Sequence, residues 1–349
     1  MSDFSQHVLL LDAKQKRLNA GPKARLDTAF FLQQLGFRIL SVPTSRSRYW
    51  QRLLAWAVSA LNWVPLKSGD IVWCQFPVDR TTQAVLEKAR KKGLKTVAFV
   101  HDIEGLKPAV TDWRLVAKEA EKLKVFTQVL GLNEVIGKIL HAHGVPVAAN
   151  LELWDYVCAI APLESTAPSL DLINKRVVFA GSLAPDKSPF IYQLGTFPHL
   201  SFELYGQGWD AKRDPANNAA GNVRYLGSFA PDSPPFVADG AMGLVWDGAQ
   251  IDRCGGNFGA YLAFNTPHKA SMYLSRGVPV AVWKDAAIAP LIEQYQAGLL
   301  IASLHELETR MAALTAQQYA ALAANAAQLG RLIRSGHFIQ SAVLKMQQT

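Results

Sequence analysis

The sequence predicts an α/β protein built as two doubly wound domains, and three observations carry that prediction. Short runs rich in Val, Ile, Leu and aromatic residues alternate with helix-length segments along the chain, the pattern of parallel sheets covered by helices. The alternation comes in two series, divided by APLESTAPSLDLINK (161–175), where Pro162, Pro168 and small polar residues read as a linker. A chain of 349 residues that is 50% hydrophobic and 18% charged has enough apolar surface for two cores.

The first series offers the strands HVLLLD (7–12), FRILSV (37–42), DIVWCQF (70–76), KTVAFVHD (95–102) and VFTQVLG (125–131). Helices lie between them, such as 79–92, in which Val85, Leu86 and Ala89 form the buried stripe. The second series offers RVVFAG (176–181), SFELYG (201–206), NVRYLG (222–227), MGLVWDG (242–248), VPVAVW (278–283) and GLLIA (298–302), the last followed by a Ser303/Glu306 capping box. Domains are expected over 1–165 and 172–330, with a helix over 331–349 packing back on the first. Two such halves put the carboxyl ends of both sheets across a cleft, so the chemistry is expected just after each strand.

Composition narrows the function classes. No run of about 18 apolar residues occurs, and MSDFSQHVLLLDAKQKRLNA lacks the apolar core of a signal peptide, so a cytoplasmic protein is expected. Cys74, Cys158 and Cys254 are odd in number and form no CxxC, which predicts reduced thiols and neither a disulfide nor a metal cluster. The formal charge is +8, and residues 1–60 carry nine Lys and Arg against three Asp. That surplus points to an anionic partner: nucleic acid, an acidic membrane surface or a phosphorylated substrate. With no zinc finger, RNP motif or helix-turn-helix in view, nucleic acid is set aside.

The most informative stretch is CGGNFGAYLAFNTPHKASMYLSRGVPV (254–280). Thr266, Pro267 and Gly277 read as N-cap, first position and C-terminal stop of a short helix, with His268 and Lys269 in its first turn. A cation at the positive end of a helix is unfavourable unless an anion meets it. Gly255, Gly256 and Gly259 permit close backbone approach, so loop and helix start together resemble a phosphate cradle, with Tyr273 one turn on and on the same face. The plainer reading is a chain turn with Lys269 reaching to water. Neither GxxxxGK[ST] nor GxGxxG is present.

Three further stretches have paired readings. In VAFVHDIEGLK (97–107), His101, Asp102 or Glu104 could face the cleft as a general base, or Asp102 could cap the next segment while His101 packs. In NAGPKARLDT (19–28), Asn19, Gly21 and Lys23 could shape an acceptor pocket, with Glu104 as a further acceptor contact, or hold a phosphate, or simply begin a solvated basic helix. In RSRYWQRLLAWAVSALNWVPL (46–66), an apolar face with flanking Arg46, Arg48 and Arg52 suits either an interfacial membrane helix or a core helix. Exposure of Trp50, Trp56 and Trp63 discriminates the two. No DxD, HExxH or GxSxG occurs, so no carboxylate-held metal or serine nucleophile is signalled.

Taken in order and spacing, HDIEGL, LELWDYV (151–157), FAGSL (179–183), YGQGW, GLVWDG, CGGNFGAYL and NTPHKASMYLSRGVPVAVW resemble bacterial galactofuranosyltransferase and glucosyltransferase proteins of GT-B fold. The resemblance covers nearly the whole chain. It implies two Rossmann-like domains, an acceptor entering from the N-terminal one, a UDP-sugar held mainly by the C-terminal one, no metal, and inversion at the donor sugar. Asn265, Pro267, His268, Lys269 and Tyr273 match the family's diphosphate-binding pattern, while Tyr205, Gly206, Asp247 and Gly248 match loops lining nucleotide and sugar. The chain departs from that pattern at Ser182, where Asn commonly follows Gly181, and in NEVIGKILHAHGV (133–145), which normally carries a His-Asn pair.

These readings combine into a UDP-sugar hexosyltransferase. Thr266 to Lys269, helped by Lys187 or Arg253, stabilise the departing diphosphate, and Asp102 with His101 beside it supplies the base. The acceptor is a saccharide hydroxyl, expected to be lipid-linked and met at the inner membrane surface through residues 46–66, and a homo-oligomer is compatible with all of this. Two alternatives stay open: a non-catalytic nucleotide-sugar-binding subunit of a glycan assembly complex, and a UDP-sugar epimerase.

Overall fold

The computed structural model describes residues 4, 6–12, 20–45, 47–60, 64–160, 176–213, 220–236 and 239–348. The chain divides into two compact units, one of Met1–Gly105, Trp113–Asp155 and Gly336–Thr349, the other of Leu106–Asp112 and Tyr156–Ser335.

The first unit contains strands β1 (His7–Asp12), β2 (Arg38–Val42), β3 (Ile71–Phe76), β4 (Lys95–Val100), β5 (Gln128–Gly131) and β6 (Val147–Asn150). They pair in parallel in the order β2-β1-β3-β4-β5-β6. Strand order therefore reverses between β1 and β3. Val72, Trp73 and Cys74 on β3, and Val97 to Val100 on β4, are buried without alternation, as expected of strands covered on both faces. Helices α1 (Ala20–Gln34), α2 (Arg48–Ala60), α3 (Arg80–Lys91), α4 (Trp113–Leu123) and α5 (Glu134–Ala142) supply the crossovers. The carboxylate of Asp79 caps α3 by accepting the Thr82 amide at 2.8 Å, and Val85, Leu86 and Ala89 face inward. Strand β6 goes unread in the sequence because VAAN is short and half-buried throughout.

The second unit contains β7 (Arg176–Ala180), β8 (Ser201–Tyr205), β9 (Val223–Tyr225), β10 (Ala241–Val245), β11 (Val280–Trp283) and β12 (Gly298–Ile301), all parallel, in the order β12-β11-β10-β7-β8-β9. Order reverses here between β7 and β10. Helices α6 (Gly256–Ala260), α7 (His268–Ser275), α8 (Ala289–Gln294), α9 (Leu304–Ala313) and α10 (Ala316–Ser335) accompany them. As expected, Ser303 accepts the Glu306 amide at 3.1 Å, and the Glu306 carboxylate accepts the Ala302 amide at 2.7 Å.

The division falls at Asp155/Tyr156, earlier in the chain than the linker read at 161–175, which lies outside the described residues. Hydrogen bonding explains why. Residues 156–160 are strapped to the second unit: Tyr156 N donates to Ile333 O, Ala159 N to Asp232 O, and Arg276 and Arg334 both donate to Ile160 O. Asp155 instead accepts the amides of Phe338 and Ile339 at 3.2 and 2.7 Å, capping α11 (His337–Gln348). That last helix packs in the first unit through Phe338, Ile339, Ala342, Val343 and Met346, against α1, β5 and β6.

Candidate active site

In the second unit, the loops leaving β7, β8 and β10 and the start of α7 converge at the strand-order reversal, the position where open α/β sheets bind ligands. Backbone packing explains their glycines. Gly206 (φ 147°) approaches so closely that a Cβ on it would lie 1.8 Å from Gly181 O, and a Cβ on Gly248 (φ 100°) would lie 2.2 Å from Gly255 O. The loops ending in Gly181, Gly206 and Gly248 are thus packed backbone against backbone, with no room for a side chain.

Lys269 occupies the first turn of α7, and its ammonium has already met an anion. Nζ donates to Asp247 Oδ2 at 2.9 Å and to Trp246 O at 3.1 Å, and lies 4.6 Å from the centre of the Phe179 ring. Asp247 is 8% exposed. Burial drives the Lys269 pKa below its usual value, the Asp247 carboxylate pulls it back up, and the nearby Lys187 charge lowers it again. Two of the three N–H donors are engaged by oxygens. Gly181 lies beside the ammonium, with the place of its missing Cβ 3.8 Å from Nζ, so a side chain there would crowd that side. Lys187, its own Nζ 5.4 Å above the Phe258 ring, extends the same positive region.

Other expected residues fall differently. The cap of α7 is Pro267 (φ −68°, ψ 124°), with no side-chain cap bond, and Thr266 is buried one residue further out. Gly277 (φ 74°) ends the helix as read, its N–H donating to Leu274 O. Tyr273, expected at the diphosphate, is fully buried, accepts the Ala180 amide at 2.7 Å, and fits against Gly243, where a Cβ would lie 2.4 Å from its ring. His268 packs its ring 4.9 Å from that of Tyr156, a residue sequence reasoning left without a role and whose hydroxyl donates to Pro231 O. Asn265 Oδ1 is buried with no partner among the described residues. Arg253 is exposed and donates to Gln250 Oε1 at 3.0 Å, Ser182 Oγ is 3.5 Å from the Ala184 amide, and Tyr205, half-buried, packs on Phe229 and Phe236.

In the first unit, β4 delivers His101 and Asp102. The His101 amide donates to Phe76 O at 2.9 Å, extending the ladder, and its buried ring packs against Phe99 at 4.8 Å and Trp154 at 4.7 Å, which also touch each other. Asp102 is half-buried and Glu104 exposed. Behind them, the buried Glu119 of α4 accepts the Glu104 and Gly105 amides at 3.2 and 3.0 Å. Sequence reasoning passed over Glu119, although its place in the row Val116, Glu119, Ala120, Leu123 was a signal: a carboxylate on an apolar stripe needs a partner. The acceptor candidates are placed as follows among the described residues. Lys23 turns inward, 8% exposed, onto Asp27 at 2.5 Å; Gly21 lies within α1, and Asn19 is outside the described residues. A helix-start lysine four residues before an aspartate finds that carboxylate more cheaply than it finds solvent. Helix α2 leaves Tyr49, Trp50 and Trp56 at 70%, 54% and 65% exposure; Trp63 is outside the described residues.

All three cysteines are free thiols, and no three His, Cys, Asp or Glu side chains among the described residues are grouped as metal ligands. Among the described residues no helix is long and apolar enough to cross a membrane.

Two six-stranded parallel sheets, each flanked by helices and each reversing its strand order once, define the architecture of a GT-B glycosyltransferase. The same architecture recurs in HepE of Anabaena, solved with UDP and glucose (TM-score 0.60, 14% identity, 98% of this chain and 100% of that one), and in WaaG, a glycosyltransferase of lipopolysaccharide biosynthesis (TM-score 0.57, 14% identity, 97% and 99%). The chain belongs to the glucosyltransferase 3-like family, whose N-terminal domain matches residues 7–151 and whose C-terminal domain matches 177–346. It is 27% identical over 341 residues to the beta-1,6-galactofuranosyltransferase WbbI of Escherichia coli K12, covering 96% of each chain. It is 24% identical over 333 residues to glucosyltransferase 3 of Streptococcus gordonii, covering 92% of each.

Proposed function

We propose that this glycosyltransferase moves a hexosyl unit, galactofuranose or glucose, from a UDP-sugar to a hydroxyl of a cell-surface glycan precursor, with inversion and without a metal ion. The observation that carries the donor assignment is the Lys269 ammonium, held by Asp247 and Trp246 O beside Gly181, with one donor left over. Loss of UDP concentrates charge on the β-phosphate, and a donor already fixed at that place stabilises the transition state more than the ground state. Lys187 and the positive end of the α7 dipole add to it. On the acceptor side Asp102 takes the hydroxyl proton, with His101 fixing the strand end next to it. HepE binds UDP and UDP-glucose in its crystal structures, which supports the choice of donor.

Replacing Lys269 by Ala is expected to lower turnover by about 10²-fold, as loss of one oxyanion donor does elsewhere. Near-normal UDP release by that variant sinks the assignment. A thermal-shift panel of UDP-, GDP-, TDP- and CMP-sugars, run with and without EDTA, separates the donor question from the metal question. Stabilisation by UDP-sugars alone, unchanged by EDTA, is the expected result; a shift abolished by EDTA overturns metal independence.

The exposed aromatic face of α2 supports the further reading that the acceptor is lipid-linked and met at a membrane surface. Tyr49, Leu53, Trp56 and Ala60 recur along one exposed stripe, with Trp50 beside it, and α2 packs on α3, whose last turn carries Lys88, Arg90 and Lys91. Large amphipathic rings next to basic residues match an anionic headgroup layer. Co-sedimentation with phosphatidylglycerol vesicles, lost in a Trp50→Ser/Trp56→Ser double variant and weak on phosphatidylcholine, is the expected outcome.

A further inference from the structure

Asp102 is anchored on both sides, and the two anchors differ in kind. On its N-terminal side the anchor is the sheet, through His101 N donating to Phe76 O at 2.9 Å and a ring packed on Phe99 and Trp154. On its C-terminal side, Ile103 is fully buried, and the next two amides, Glu104 N and Gly105 N, open the single 3-10 turn Glu104–Leu106 with no partner inside it. Both are taken by one side chain: Glu119 Oε1 accepts from Glu104 at 3.2 Å and Oε2 from Gly105 at 3.0 Å. Glu119 is 4% exposed and projects from the apolar row of α4, where a carboxylate is costly unless hydrogen-bonded. An apolar residue in its place would suit α4 better but would take this acceptor away from both amides.

We infer that Glu119 is a positioning residue for the general base: by fixing the backbone of residues 104 and 105 it sets where the Asp102 carboxylate stands. The inference rests on the proposed role of Asp102. A base must lie within hydrogen-bond reach of the proton it removes, and a misplacement of about 1 Å can cost about 10²-fold in rate. The bidentate clamp therefore acts on kcat while leaving the UDP site, built from the other unit, untouched.

A double-mutant cycle on the full chain tests this, with Asp102→Asn, Glu119→Gln and the combination. The readouts are UDP release from UDP-glucose with methyl hexosides as acceptors, the pH profile of kcat, and UDP affinity. Glu119→Gln keeps the shape of the side chain but presents an N–H to one of the two amides. The expected result is a loss in kcat of about tenfold or more, part of what a general base contributes, with UDP affinity within about twofold of wild type. It should add less than about twofold on top of Asp102→Asn, because a residue acting through Asp102 has nothing left to position. Multiplicative losses, or unchanged kcat in Glu119→Gln while Asp102→Asn is impaired, overturn the inference. Wild-type turnover of Asp102→Asn is a different result: it overturns the base assignment and the inference with it. If Glu119→Gln does not fold, Glu119→Asp, which keeps the charge on a shorter arm, enters the same cycle.

Discussion

At the scale of single residues, Lys269 shows how much a partner decides. A cation in the first turn of α7 is unfavourable in isolation, and Asp247 makes it tolerable by standing 2.9 Å away. That pairing makes a pH prediction. Burial already lowers the Lys269 pKa and the Asp247 charge is its largest support, so Asp247→Asn should lower it further. Activity that needs the ammonium is present below that pKa and lost above it, so the alkaline limb of the kcat profile should move to lower pH. An unmoved limb means the pair does not govern the proton. Gly243 gives a stability prediction of another kind. Its missing Cβ lies 2.4 Å from the Tyr273 ring, and that ring has no space to retreat because the Ala180 amide holds its hydroxyl. Gly243→Ala should destabilise the protein by about 1–3 kcal/mol through overpacking, read as a drop in the urea midpoint.

Among the elements, α11 owes its start to a buried carboxylate. Asp155 accepts two amides at the head of the helix, yet burial dominates and pushes its pKa up to about 8, the two amides and then the Asp27 charge being smaller influences of opposite sign. A carboxyl whose folded pKa stands above the unfolded value near 3.8 favours the fold below that value, and the contribution is lost as pH rises through about 8. Thermal stability of the wild type should therefore fall between pH 5 and 9 relative to Asp155→Asn, which cannot titrate. Parallel pH curves for the two proteins would remove this explanation. The strands were mostly legible because buried parallel strands read as unbroken apolar runs. Strand β6 was not, because four residues of which two are alanine carry no such signal. The start of α7 came out one residue late because a proline can take either the cap or the first position.

For the whole molecule, the last helix, expected from the sequence over 331–349, belongs to the first unit, which closes a loop in the chain. Deleting residues 336–349 removes an apolar face that covers α1, β5 and β6, so the truncated chain should lose the cooperative unfolding of its first unit, as hydrogen exchange on β5 and β6 would report. Retained protection there would show that the helix is dispensable.

The sequence by itself determined the fold class, the two series of strands, the loops that follow them and the basic, tryptophan-bearing helix near the N-terminus. Periodicity, glycine and proline positions and charge are local quantities, and local quantities suffice for these. Tertiary structure alone decided that Asp247 is the anion facing Lys269, that Tyr273 and Lys23 turn inward, that Glu119 clamps the loop after β4, and that the division falls at Asp155. Each of these depends on which oxygen or ring stands within a few ångströms of a side chain, and that distance is set by how strands far apart in sequence are brought side by side.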